Sequence, residues 1–513
     1  TREQAGQPLP FAGRSDSKSR TNYGRGHFSA VFDPTPKHTA GFDIEYTERS
    51  THMPTLSRTT LGQTQSDSRY RQHMDGNTLT ATANYIWKID TLGSQFKLIA
   101  DYTRYTSDGD NSYHTTTCAP GTLRDSLYES ATGSVYDILT ADAGLTRKLP
   151  HGLTLRAGLR YTRNDMADKS RYAAQTQGTW LALPEYSYDQ HYTEQIGAAY
   201  ASLEYSAGRW ELSAGLRGEY TSVASQAFGR SYFGLFPNVS VSRALNALRT
   251  WLLVAQWSRN IERPAFPALN PARIRISDYS WQSGNPSLRP TYIHRFSLTA
   301  VWKYRYTLTV GGNLHHDLIR EIAHRDATAP DAVYIRPENH YTENHWFVAA
   351  SVPAKITRWW NLSVNAVGVM QRIRLNSTDS PATHYLMFAD ATCSFTLPAG
   401  FFAEAVYRAQ SRLYSGNSEV GPRHTLSATV KKQLFGKRLT LFCTLSNITG
   451  CDWEFASLTD GMRRTIDTGQ AWSGRLWKVG AAWNFRTGKK FRARTVESAA
   501  ETQRKRLVKS TEQ

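Results

Sequence analysis

Residues 153–162 read LTLRAGLRYT and alternate strictly. Leu153, Leu155, Ala157, Leu159 and Tyr161 fall on one side, and Thr154, Arg156, Gly158, Arg160 and Thr162 on the other. A period of two sends successive side chains to opposite faces of a strand, so this decapeptide is a strand with one apolar and one polar flank. The pattern recurs at 210–220, where Trp210, Leu212, Ala214, Leu216 and Tyr220 oppose Glu211, Ser213, Gly215, Arg217 and Glu219. It recurs again at 296–304, 401–410, 424–431 and 439–445, while helical spacing is nearly absent. The chain is all-β.

Segment length then separates a soluble fold from a membrane one. Strands of soluble proteins usually run about 5–6 residues. Many of these segments reach about 10–15, close to the 9–11 tilted residues that cross a bilayer. The connections also alternate in length. Short ones lie at 33–37, 149–152, 206–209, 397–400 and 434–437, and long ones at 51–77, 110–131, 165–190, 262–288 and 450–469. Short turns on one side and long loops on the other mark a large antiparallel transmembrane β-barrel of the outer-membrane type.

Composition agrees. At 40% hydrophobic and 12% aromatic residues, the 513-residue chain is not of the disordered class. Its longest apolar runs, such as WLLVA at 251–255, fall far short of the roughly 18 residues of a spanning helix. The balance of 61 basic against 43 acidic residues, net +18, fits nucleic acid, an anionic membrane surface or lumenal and loop arginines. Cys118, Cys393, Cys443 and Cys451 form neither a disulfide framework nor a zinc site, although Cys443 and Cys451 are close enough in sequence to bridge. The opening Thr1-Arg2-Glu3-Gln4 carries no apolar signal core, so the expectation is a removed signal or a sequence that begins partway through a longer protein.

About 19 strands fit between Asn22 and Phe485, the first and last both descending from the long-loop side. Single-chain bacterial barrels normally have an even number of strands, so a complete barrel of 22 would need three more. In the last strand Trp477, Val479, Ala481, Trp483 and Phe485 form the flank expected to meet lipid. Aromatics at strand ends, Trp210, Tyr220, Trp302, Tyr304 and Trp483, suit interfacial girdles. The domain reading is a polar N-terminal segment or loop over 1–21, a barrel over 22–486 and a basic tail over 487–513. That tail carries Lys489, Lys490, Arg492, Arg494, Arg504, Lys505, Arg506 and Lys509. Without interleaved aromatics it does not read as nucleic-acid binding, and a solvated periplasmic tail is expected.

Two passages carry a family resemblance. The first is Trp257-Ser258-Arg259-Asn260-Ile261-Glu262-Arg263-Pro264 with Leu269-Asn270-Pro271; the second is Gly284-Asn285-Pro286-Ser287-Leu288-Arg289-Pro290. Together they resemble the hallmark of TonB-dependent-receptor-like outer-membrane barrels, more narrowly the outer membrane protein beta-barrel family. The usual Glu after the last Pro is Thr291 here. Lys478, Gly480, Trp483 and Phe485 are similar to the signal read by the barrel-assembly machinery. The resemblance implies a 22-stranded barrel around a plug, importing a bulky solute (siderophore, vitamin, glycan or peptide) with TonB as energy partner. It also implies contact with outer-membrane lipid and lipopolysaccharide, and allows a partner lipoprotein. No plug or TonB box is visible in residues 1–20. From the residues themselves, Pro264, Pro267, Pro271, Pro286 and Pro290 break strand pairing, and Gly284-Asn285-Pro286 is strong turn chemistry, which makes the segment a stiff loop.

Charges on polar flanks, Arg156, Arg160, Glu211, Arg217, Glu219, Glu404 and Arg408, are lumen-facing candidates that would line an aqueous interior or grip an occupant. His315-His316-Asp317 invites a metal reading, but adjacent histidines on a strand point to opposite sides and cannot share one ion. There is no G-x-S-x-G elbow, so no enzyme and no cofactor are expected. The leading reading is an outer-membrane importer barrel. The alternative is a non-transport barrel serving assembly, scaffolding or adhesion; a passive porin or an embedded hydrolase is less well supported.

Overall fold

The computed structural model describes residues 2–4, 7–9, 11–226, 228–277, 279–326, 332–459, 462–468, 475–485 and 496–507. Among the described residues, nineteen long strands make the wall. The first ten are β1 (Arg20–Thr35), β2 (His38–Leu61), β3 (Thr64–Lys88), β4 (Gln95–Ala119), β5 (Thr122–Leu149), β6 (Leu153–Thr176), β7 (Tyr188–Ala207), β8 (Trp210–Ser225), β9 (Gly229–Ala244) and β10 (Trp251–Glu262). The remainder are β11 (Thr291–Trp302), β12 (Tyr306–Arg325), β13 (Val333–Lys355), β14 (Trp360–Arg374), β15 (Ala382–Leu397), β16 (Phe401–Gln410), β17 (Arg423–Leu434), β18 (Leu439–Ser446) and β19 (Leu476–Trp483). Each pairs antiparallel with the next along the chain, and the sheet is rolled into a barrel. These are the about 19 strands that the alternation predicts; four shorter ones, Phe11–Ser17, Thr179–Ala182, Ile274–Ser277 and Ser280–Gln282, join the same sheet. The eighteen antiparallel steps between them, an even number, leave β1 and β19 running in the same direction.

Burial along the wall is inverted relative to a soluble protein. On β6, Leu159 is 65% exposed, while Thr162 and Asn164 on the other flank are buried. On β8, Leu216 and Tyr220 are exposed and Glu219 and Thr221 buried. Apolar side chains face out because hydrocarbon accepts them and offers backbone groups no hydrogen bonds; polar ones face in. At the short-turn ends Trp210, Trp251, Trp302, Phe401, Phe435 and Trp483 are all exposed, forming an aromatic belt in which Trp251 stacks on Trp302 at 5.7 Å. On β8 Trp210 and Tyr220 stand about ten residues apart, the length that spans a bilayer.

Several long connections are more ordered than the sequence suggests. Residues 51–77 and 110–131 are not loops. They are the upper halves of β2–β5, strands of 24 to 28 residues whose register continues from Met53↔Gln72 to Leu61↔Thr64 and from Asp110↔Ala131 to Ala119↔Thr122. Both flanks are polar there, so no apolar alternation reveals them. Hydroxyl ladders support them instead: Ser66 Oγ lies 3.2 Å from Thr117 Oγ1, and Ser68 Oγ 3.0 Å from Thr115 Oγ1. Residues 165–190 likewise continue β6 to Thr176.

The N-terminal segment, expected as a polar segment or loop over 1–21, is largely strand where it is described. Arg2–Gln4 pairs with Gln7–Leu9, Phe11–Ser17 pairs with the top of β2, and Arg20 and Thr21 open β1. Among the described residues all four cysteines are free, so Cys443 and Cys451 do not bridge.

Candidate functional site

The segment between β10 and β11 folds down into the barrel interior. Phe266–Leu269 form one helical turn, and Phe266, Leu269 and Leu288 are fully buried against Tyr136, Ile138, Met166, Tyr192 and Val223 from the inner flanks of β5–β8. Its two proline-rich halves are stitched together by backbone bonds: the Gly284 amide donates to Asn270 O (2.9 Å) and the Asn285 amide to Ala268 O (2.7 Å). A Cβ at position 284 would sit 2.2 Å from Asn270 O, so only glycine permits this approach. Asn285 Nδ2 donates to Pro337 O (3.0 Å), and the Arg230 guanidinium donates to Leu288 O. Prolines that break ladder pairing free this stretch to leave the wall, and its apolar residues give it a reason to pack inside.

Beneath this loop lies a chain of buried charges. Arg263 Nη2 donates to Glu219 Oε2 (2.6 Å) and Thr221 Oγ1 (3.0 Å), with Nε 3.8 Å from Glu194 Oε1. Arg217 Nε approaches Glu219 Oε1 at 2.6 Å. Arg160 Nε donates to Asp142 Oδ2 at 2.7 Å on the neighbouring strand. Burial alone would lower the pKa of Arg263, but Tyr232, Glu194 and Glu219 outweigh it and hold the guanidinium above its ordinary value. Each buried charge has an opposite partner, as a desolvated charge must.

Two comparisons bear on this architecture. Residues 87–481, well over half of the chain, match the model of the outer membrane protein beta-barrel family. The chain belongs to that family. Like its family, it resides in the cell outer membrane. Among solved structures, the chain is similar to the ferric-catecholate import receptor Fiu of E. coli K12 at 9% identity and a TM-score of 0.58, covering 92% of this chain and 81% of that one. It is also similar to a chain of the FpvAI–pyocin S2 complex at 10% identity and a TM-score of 0.52, covering 94% and 74%. At such identities the likeness concerns the fold. No curated protein matches by sequence.

Within this outer-membrane barrel, the candidates from sequence divide. Arg160, Arg217, Glu219 and Arg263 converge on one part of the inner wall. Arg156 pairs with Glu204 near the short-turn end, and Glu211 is exposed beside Trp210. Glu404 and Arg408 lie far along the wall on β16, half-buried and exposed respectively, and do not join the network. Arg259 stays at the wall, donating to Leu235 O (2.9 Å) with its guanidinium over the Tyr292 ring at 5.1 Å. Pro264 and Pro290 are buried in the loop, while Pro271 and Pro286 are half-buried. Trp483 at the end of β19 and Phe485 two residues beyond it are exposed, and Gly480 is fixed by the Phe442 ring, which a Cβ would meet at 2.3 Å. His315 and His316 do not share a site: His315 Nδ1 bonds to Glu343 O (2.7 Å), and His316 Nε2 lies 3.5 Å from Asp317.

Sequence reading missed Asp101, Asp142, Asn164 and Glu194, each one polar member of an ordinary alternating strand. It also missed the end of the chain. Residues 496–507 are not wholly solvated as expected: Ala499, Ala500, Gln503 and Arg506 are buried against the inner wall, while Glu497, Glu501, Thr502 and Lys505 stay exposed. The physical reason is complementary charge. Arg506 Nη1 donates to Glu194 Oε2, its Nε to Pro264 O (3.0 Å), and its guanidinium lies 4.2 Å from the Phe266 ring centroid. Residues 487–495 and 508–513 of that tail lie outside the described residues.

Proposed function

We propose that this chain forms the wall, mouth and constriction of an outer-membrane importer for a bulky, scarce solute, powered through TonB. The observation that carries the reading is the motif loop, which turns an apolar and charged surface into the interior instead of leaving an open channel. A porin needs no such obstruction; an importer that admits one solute at a time does. The fold likeness to a protein described as a ferric-catecholate import receptor makes an iron chelate the first solute to try. Vitamins, glycans and peptides follow. Lys478, Gly480, Trp483 and Phe485 at the end of β19 serve as the signal for the barrel-assembly machinery in this reading. Lipopolysaccharide and a lipoprotein cover are its further contacts.

The test is uptake by cells that lack their own receptors and express the full gene. Ferric-catecholate, cobalamin, oligosaccharide and oligopeptide are supplied as sole sources. Growth on one of them that disappears when TonB is deleted supports the reading. Growth on none, or growth independent of TonB, overturns it.

A further inference from the structure

The outer flank of β12–β14 changes character at one height. On β14 it reads Leu362, Val364, Ala366, Gly368 and Met370, and then Arg372 and Arg374. Gln371 and Ile373, which alternate with the two arginines, are buried at 2% and 5% exposure, so the arginines point away from the interior. Register carries the step sideways. Met370 stands between Trp346 on β13 and Tyr385 on β15, both exposed, as the last apolar row. One row up, Arg372 faces Asn344; in the next, Arg374 faces Thr342, which faces His316 on β12. Tyr341 bridges the ends of that row. Its ring centroid lies 6.0 Å from the Arg374 guanidinium carbon and 5.9 Å, edge-on, from the His316 ring. The step lies about a bilayer's span above Trp360 at the short-turn end, where outer-leaflet headgroups begin.

Pairing sets this patch apart from the rest of the outer flank. At a comparable level on β4–β6 the cations already have carboxylates: Arg104 Nη1 lies 3.7 Å from Asp137, and Arg163 Nε 2.7 Å from Asp165. Among the described residues Arg372 and Arg374 pair with no carboxylate. The carboxylate that approaches the patch is Asp317, 3.5 Å from His316 Nε2, and Arg289 holds it at 2.6 Å. Arg372 and Arg374 stand about 7 Å apart along the strand, a spacing at which like charges repel. An anion seated between them removes that repulsion. A phosphomonoester carries nearly two charges at neutral pH, and the guanidinium fork matches its oxygens. We propose that Arg372 and Arg374, with Tyr341 and Asn344 beside them, form a site on the outside of the wall for the phosphomonoester headgroup of an outer-leaflet lipid. Its acyl chains then lie over Trp346 and Val348, both exposed below. The apolar rows meet the chains and the basic rows meet the headgroup, in the order in which a lipid presents them.

The site gives residues to the lipopolysaccharide contact of the importer reading and rests on it for nothing else. Lipid binding is measured without transport, so either can fail alone. The full-length protein in detergent is titrated with three probes: lipid A, lipid A stripped of its phosphates, and inorganic phosphate. Native mass spectrometry reads the lipids and calorimetry reads the phosphate. The unaltered protein is expected to bind lipid A about tenfold or more tighter than the stripped lipid, as charge-assisted bonds to phosphate allow. Arg372→Gln with Arg374→Gln is expected to abolish that preference. Arg163→Gln, which removes a cation already paired with Asp165, is expected to leave it intact. Heat-modifiable mobility in electrophoresis checks that both variants are folded. Equal binding of the two lipids by the unaltered protein overturns the site whatever the variants do. A preference that survives the double substitution, or one that Arg163→Gln also removes, overturns the assignment to these arginines. Inorganic phosphate binding as tightly as lipid A overturns the lipid as occupant.

Discussion

Two stretches of the same wall behave differently. Along β4–β8 the inner flank is buried residue after residue: Asp101, Thr103, Thr140, Thr162, Asn164, Glu194 and Glu219 all have 4% exposure or less. Along β16–β18 the inner flank is half-buried at best, and Glu404 and Arg408 meet no such neighbours. The strands are built alike, so the wall itself does not cause the difference. The interior filling does: the motif loop and the chain end both lean on β4–β8. A polar side chain in a barrel wall is therefore structural or merely wetted according to what stands opposite it.

This contrast can be broken most sharply at its charges. Arg263→Ala leaves Glu219 with Arg217 alone and removes a neighbour of Glu194, so it is expected to cost about 3 kcal/mol, the low end of the range for removing one member of a buried pair. Arg408→Ala on the open side should stay within about 0.5 kcal/mol. Urea unfolding in liposomes, followed by tryptophan fluorescence, reads both; equal losses would erase the distinction. The outer flank offers a second contrast. Leu159→Arg, near mid-span, is expected to cost about 2–4 kcal/mol, whereas Leu56→Arg, 60% exposed at the top of β2 above the membrane zone, should cost nearly nothing. The same titrations measure them, and a cheap Leu159→Arg would place that residue in water. Smallest is Gly284→Ala, expected to cost about 1–3 kcal/mol through its contact with Asn270 O. Its mark is faster protease cleavage in the loop with wall stability retained.

Much of this was legible in the sequence. The alternation at 153–162 and 210–220 gives the wall and its lipid flank, because one period decides both. The hallmark residues from Arg259 to Pro290 predict an ordered loop. The polar upper halves of β2–β5 escape notice because a strand wet on both sides has no apolar rhythm. The interior filling escapes for another reason: Arg506 finds its carboxylate 312 residues away at Glu194, a pairing no local pattern encodes. Gln503 and Asn164 are similarly remote, and a tail rich in Arg and Lys reads as solvated until its partners are known.

The account depends above all on where the exposed leucines sit. In a cysteine-free background, single Cys replacements at Leu159, Leu216 and Leu56 can be probed in proteoliposomes with a membrane-impermeant maleimide. Positions 159 and 216 should stay unlabelled until detergent is added, while position 56 labels at once. Equal labelling of all three in intact liposomes would contradict it.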